Sequence, residues 1–200
     1  MNDLQKIREQ LVLASKRAYR RGIQTGSGGN ISARVPGKDL MIVKASGSSF
    51  EDSTEDGFLI TDFDGNLVEG TGKPTREALL HGYLYRICPQ VDSVIHCHSP
   101  YCIGWASTGK DLPRVTWHAK LKLCADIPTI DVPAAVVKPE FFPLVKKAYD
   151  KHPELPAFLL VDHGVVAVAK DPINAEHTAE LIEETAQVAF LEAIAKKVAL

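Results

Sequence analysis

Apolar residues near the start of the chain recur every three or four positions. Leu4, Ile7, Leu11, Ala14 and Ala18 fall on one stripe, which predicts an amphipathic helix over 3–21. Gly22 follows, a residue suited to the left-handed turn that ends helices. The pattern then shortens. Apolar runs at 31–34, 40–43, 57–61 and 66–68 predict strands, with Asp64-Gly65 marking a tight turn. Helical spacing returns at Leu79, Leu80, Tyr83 and Leu84 after Pro74, and predicts a helix over 75–87. Val91-Asp92-Ser93-Val94-Ile95 reads as a buried strand ending at His96. Beyond it the pattern predicts a small-residue helix at 100–107, strands at 127–132, 156–161 and 165–169, and helices at 140–150 and 174–198. The early strands are joined by hairpin-like turns. That predicts a largely antiparallel or mixed sheet with helices on its faces, not a doubly wound nucleotide fold. No repeat or linker divides the 200 residues, so one domain spanning 1–200 is expected.

Composition changes this picture little. A net charge of −2 gives no sign of a nucleic-acid or membrane partner. No apolar run reaches the ~18 residues of a membrane span. The start, Met1-Asn2-Asp3, reads as the cap and first turn of a helix and not as a signal peptide, and the cysteines, read as reduced, lead to the expectation of a cytoplasmic location. Cys88, Cys97, Cys102 and Cys124 form no C-x-x-C pair and are read as reduced core residues. The clusters Glu55-Asp56 and Glu183-Glu184 read as solvated charge.

The chemistry concentrates at strand ends. In His96-Cys97-His98, side chains two apart share a side of the strand, so both imidazoles reach one point while Cys97 faces away. Histidine in an apolar strand is costly unless bonded or ligated. Two readings stand: a metal site, or a hydrogen-bonded core pair. His163-Gly164 ends another apolar run, and Glu77 lies near the start of a predicted helix. Three imidazoles and a carboxylate make a ligand set for a catalytic divalent ion. His81, four residues from Glu77 on the same helix face, reads as support or core. Gly28-Gly29-Asn30 within a Gly-rich loop is either an anion cradle or a plain turn, and Lys44-Ala45-Ser46-Gly47-Ser48-Ser49 is a second anion-binding candidate. His118 is either a loop residue in solvent or a substrate contact. His152 and His177 read as solvated.

Taken in order, Gly28-Gly29-Asn30-Ile31-Ser32, Ala45-Ser46-Gly47, Pro74-Thr75-Arg76-Glu77, Val94-Ile95-His96-Cys97-His98 and Asp162-His163-Gly164 resemble the class II aldolase/adducin family over nearly the whole chain. The resemblance implies an α/β fold of three layers (αβα), with a central mixed, mostly antiparallel sheet flanked by helices. It implies a zinc ion, or manganese or cobalt, on His96, His98 and His163. Glu77 would be the fourth ligand at rest and the acid/base with substrate bound. It implies a phosphate site from Gly28, Gly29, Asn30, Ser46, Gly47, Thr75 and Arg76, and a homotetramer with active sites at subunit interfaces. The implied activity is retro-aldol cleavage of a small phosphorylated keto-sugar. Decarboxylases, dehydratases and 4-epimerases of related sugars share the scaffold, as does a non-catalytic adducin-like module.

Two departures bear on that expectation, and the identity of residue 77 weighs among its alternatives. Arg76 stands where aldolases of this type often carry a small hydroxyl residue; it either pairs bidentately with a phosphate or a carboxylate, which would suit a carboxylated substrate, or points to solvent. Glu77 in place of Asp argues against the ribulose-phosphate epimerase pattern. The fucose-type aldolases bring tyrosines to the site from a C-terminal tail and from a segment matching Trp117-His118. Here the sequence ends at Leu200, so either His118 or another group is the proton donor, or the reaction differs.

Overall fold

The computed structural model describes residues 3–198. The cap reading of Met1-Asn2 and the chain end at Leu200 lie outside them. The elements run α1 (Asp3–Arg20), β1 (Asn30–Arg34), β2 (Leu40–Lys44), β3 (Phe58–Asp62), β4 (Leu67–Glu69), α2 (Ala78–Ile87), β5 (Ser93–Cys97), α3 (Pro100–Ala106), α4 (Trp117–Lys122), β6 (Thr129–Ile130), α5 (Phe142–Lys151), β7 (Ala157–Leu160), β8 (Gly164–Ala169) and α6 (Pro172–Lys197).

The strands form one sheet in the order β4-β3-β2-β1-β5-β8-β7-β6. Every neighbouring pair is antiparallel except β6 with β7. The expected mixed, mostly antiparallel sheet is therefore present. Alternation along the strands builds two cores. Ile31, Ala33, Ile95 and Cys97 face α1, α3, α4 and α6, whose Leu11, Ala106, Ala119 and Ile182 close one layer. Met41, Val43, Val94 and Val166 face α2 and α5, with Leu80, Leu84 and Val145 closing the other. Three layers result, and Cys97 points away from the α2 side as expected.

Several boundaries moved for identifiable reasons. α2 starts at Ala78, not at 75, because the preceding segment is held extended. Thr75 N–H donates to the Lys44 carbonyl at 3.1 Å and Ser46 N–H to the Lys73 carbonyl at 2.8 Å. β6 shrinks to two residues between Pro128 and Pro133, which cannot donate to a ladder. α4 was not expected. Thr116 caps it by accepting from Ala119 N–H at 3.0 Å, but its large apolar residues Trp117 and Leu121 are exposed, so no buried stripe betrays it. Glu183 is a correction. It is not solvated but buried, accepting from the backbone N–H groups of Tyr101 at 2.9 Å and Cys102 at 2.8 Å. Those are orphan donors of the first turn of α3, which a carboxylate satisfies well. Cys124 is a second correction: Cys88, Cys97 and Cys102 are buried free thiols, but Cys124 is exposed. No helix is long and apolar enough to cross a membrane among the described residues.

Candidate metal centre

β5 lies between β1 and β8, with His96 paired opposite Asn30 on one side and Val166 on the other. His96 is fully buried on the α2 side. Its Nδ1 donates to the Val165 carbonyl at 3.0 Å, which leaves the Nε2 lone pair facing outward. His98 sits just past the strand, where its N–H donates to Gln24 Oε1 at 2.9 Å. His163 occupies the turn between β7 and β8. That turn has unusual backbone on both sides: Asp162 at φ 53° and Gly164 at φ 145°. A side chain at Gly164 would run into the Cys97 carbonyl, so only glycine lets the turn close onto β5. The three rings form a near-equilateral triangle, with centroids 4.6, 4.8 and 5.1 Å apart.

These residues fit a metal ion. One ligand nitrogen from each ring lies within 4.8 Å of the others. His96 Nε2 and His163 Nε2 are 3.2 Å apart. A tetrahedral ion with bonds of 2.0–2.1 Å sets its nitrogens roughly 3.3 Å apart. Burial holds His96 down to about 4 and lowers His98 as well, so both rings are neutral ligands at neutral pH.

Glu77 stands at the N-cap of α2 and is buried. Its Oε2 lies 3.6 Å from His96 Nε2 and accepts from Asn30 Nδ2 at 3.1 Å, while Oε1 accepts from Val137 N–H at 3.4 Å. Burial pushes this carboxyl up, but His96, His163 and the Asn30 amide outweigh it and leave a net lowering. The Asn30 amide favours the carboxylate whatever the charge on the imidazoles.

A cavity of about 470 Å³ opens beside the histidines. Gly28, Gly29, Asn30, Ser46, Gly47, Thr75, Arg76, Glu77, His98 and His163 all line it, so the residues singled out in the sequence meet in one place. Lys44 lines it too. Its buried ammonium, over the Phe50 ring at 5.8 Å, is pushed down to about 8 by desolvation. His118 is not brought to this cavity within the chain. It sits on α4, 3.8 Å from Glu184, lining a different cavity with Arg17 and His177. His177 is exposed as expected, and His152 is half-buried.

Residues 9–190 match the family described as Class II Aldolase and Adducin N-terminal domain. The chain belongs to this family. Among curated relatives of this class II aldolase/adducin member is the L-ribulose-5-phosphate 4-epimerase UlaF of Salmonella typhi, 30% identical over 196 residues, covering 94% of this chain and 86% of the relative. Among solved structures, an L-fuculose 1-phosphate aldolase superposes with a TM-score of 0.83 at 26% identity, over 94% of this chain and 86% of that one. YgbL of Escherichia coli, titled a putative aldolase/epimerase/decarboxylase, gives 0.80 at 26% identity over 95% and 91%.

Sequence reasoning missed three residues that shape the site in this family member. Gln24, buried after α1, anchors His98, and Val137 supplies a backbone donor to Glu77. Asp162 lines the cavity beside His163. Gln24 and Val137 act across 74 and 60 residues of sequence, so no local pattern signals them. Asp162 stands in the Asp162-His163-Gly164 motif, which is the one sequence signal that could have singled it out; the structure adds its left-handed backbone.

Proposed function

We propose that the chain is a divalent-metal-dependent lyase that breaks a carbon–carbon bond next to the ketone of a small phosphorylated sugar. The observation that carries this is the placement of the Glu77 carboxylate 3.6 Å from His96 Nε2, in the wall of a cavity that also holds the Gly-rich loop and Lys44. An ion on His96, His98 and His163, zinc in this reading, would supply Lewis-acid stabilisation of the charge that appears on the substrate oxygens. The remaining work falls to side chains. As the hydroxyl on the departing carbon gives up its proton and becomes an aldehyde, the electron pair of the broken bond stays on the carbon beside the ketone, and that carbon must take up a proton. Glu77 is placed to carry that proton. Backbone amides of Gly28 and Gly29, with Asn30, Ser46, Gly47 and Lys44, would hold the phosphate, so binding energy remote from the reacting carbons orients them.

Two observations favour variants of the same step. Arg76 is exposed on the cavity wall and can pair bidentately with a carboxylate, which suits loss of CO₂ from a 3-oxo sugar acid. The 30% identity to a protein named a 4-epimerase suits return of the released fragment on its other face. The homotetramer belongs to this proposal as well. Trp117 at 86% and Leu121 at 81% exposure support it, since they flank His118 and would present it to another subunit.

The test is a screen of purified protein, loaded with zinc, manganese or cobalt, against ketose phosphates and 3-oxo sugar acid phosphates. Aldehyde release, CO₂ release and formation of an epimer are detected separately. Background metal content, with no turnover after metal is added, overturns the enzyme reading in favour of an adducin-like binding module.

A further inference from the structure

Behind Glu77 lies a buried polar chain that the proposed reaction does not use. Ser32, His81 and Tyr85 are 0%, 0% and 1% exposed. Ser32 Oγ is 2.7 Å from His81 Nδ1 and 2.7 Å from the Tyr85 hydroxyl. Ser93 Oγ donates to the Ser32 carbonyl at 2.7 Å. Glu77, His81 and Tyr85 are spaced four apart and form one stripe on α2. Asn30 and Ser32 are two apart on β1 and face that stripe. Asn30 bonds the Glu77 carboxylate, and Ser32 bonds the two residues behind it. The same strand is paired to β5 with Asn30 opposite His96. One strand therefore fixes both partners of the 3.6 Å contact between Glu77 and His96.

Apolar packing alone would seat α2 on the sheet but leave its rotation and sliding soft. A buried hydroxyl gripped from both sides permits one rotation and one height, and any displacement leaves polar atoms unpaired. We propose that Ser32 is a positioning residue for Glu77, acting through His81 and Tyr85 to hold the carboxylate at the three-histidine site. The proposal rests on the reading of Glu77 as a metal ligand.

The test is a double-mutant cycle on zinc affinity, measured by chelator competition, which needs no substrate. The expected result is that Ser32→Ala weakens zinc about tenfold in the wild-type background, the scale found for residues that orient metal ligands. In a Glu77→Gln background the same change should weaken zinc less than about twofold, because the residue it positions no longer binds. Ser32→Thr, which keeps the hydroxyl, should restore most of the affinity. Equal weakening in both backgrounds, or none in either, overturns the proposal and leaves the reading of Glu77 intact. Wild-type zinc affinity in Glu77→Gln alone overturns that reading and the proposal with it. Should Ser32→Ala fail to fold, Tyr85→Phe removes one oxygen from the same chain, keeps the ring, and is judged by the same non-additivity.

Discussion

His96 Nε2 faces His163 Nε2 at 3.2 Å, and His96 cannot turn away because its Nδ1 is tied to the Val165 carbonyl. Val165 lies on the strand that His163 leads into, so one backbone path sets both ends of the contact. Two imidazole nitrogens held this way converge on the same point, an arrangement that a shared ion can use.

Removing either ring should therefore remove metal and turnover together. His96→Ala and His163→Ala are each expected to purify with zinc at background and with no activity on substrates the parent accepts. Elemental analysis of the folded variants is the check. Full metal content in either would show that the ion sits elsewhere.

Glu77→Gln should separate the two properties. The three histidines remain, so the variant is expected to hold most of its metal when zinc is in excess. Its kcat should fall about 10²- to 10⁴-fold, the usual worth of a positioned acid or base. Undiminished kcat would assign proton transfer to another group.

Gly28→Ala probes how tightly the Gly-rich loop lies on the site. A Cβ there would stand 2.7 Å from His98 Nδ1 and 2.9 Å from Gln24 Nε2, both side-chain atoms that can yield. The fold should survive while His98 is displaced, and zinc affinity should drop about 10- to 100-fold. Unchanged affinity in a folded variant would mean that the loop gives way before the ring does.

Arg76→Ala should raise KM about tenfold or more with metal content unchanged, since a charged hydrogen bond to an anion is worth on the order of 1.5–3 kcal/mol. The increase should appear for carboxylated substrates and shrink for neutral-headed ones. Identical KM values across both would place Arg76 in solvent.

The metal-free protein should be most stable near pH 6.5. Burial lowers His96 to about 4 and His81 to about 3, whereas unfolded imidazoles titrate near 6.5. Between those values the unfolded chain binds protons that the native one refuses. Stability is thus lost as pH falls, on the order of 3 kcal/mol for each ring by pH 4. Glu176 works in the other direction. Burial and its neighbour Glu180 raise it to about 8 despite Arg17 at 3.1 Å, so its native state retains a proton that the unfolded chain has released. That contribution is present at low pH and fades as pH rises from about 4.5 to about 8. Melting temperatures of chelated protein across pH 4–8 are the measurement, and Glu176→Gln should flatten the alkaline side and steepen the rise between about pH 4.5 and 6.5.

The sheet and the two helical layers were readable because strand alternation and helical periodicity are local. His96, His98, His163 and Glu77 were readable because their residue types are costly where the pattern buries them. Arrangements that depend on distant partners were not. Glu183 looked like half of a charged pair until α6 was laid beside the first turn of α3. The late start of α2 depends on an extended segment bonded to β2, which no propensity records. α4 was hidden because it exposes the residues that usually mark a buried face.

The position of β1 and β5 in the middle of the sheet has a consequence for motion. Their amides can meet solvent only when the sheet itself comes apart, so hydrogen exchange at Ile31, Ser32, Ile95 and His96 should follow global unfolding. Much of the remaining cavity wall is loop, at 27–29, 46–47, 75–76 and 135–136, with Ile103 of α3 beside them. Amides there that lack partners should exchange through small local openings. His96 is thus a fixed reference, and whatever adjustment a substrate demands must come from the loops that meet it.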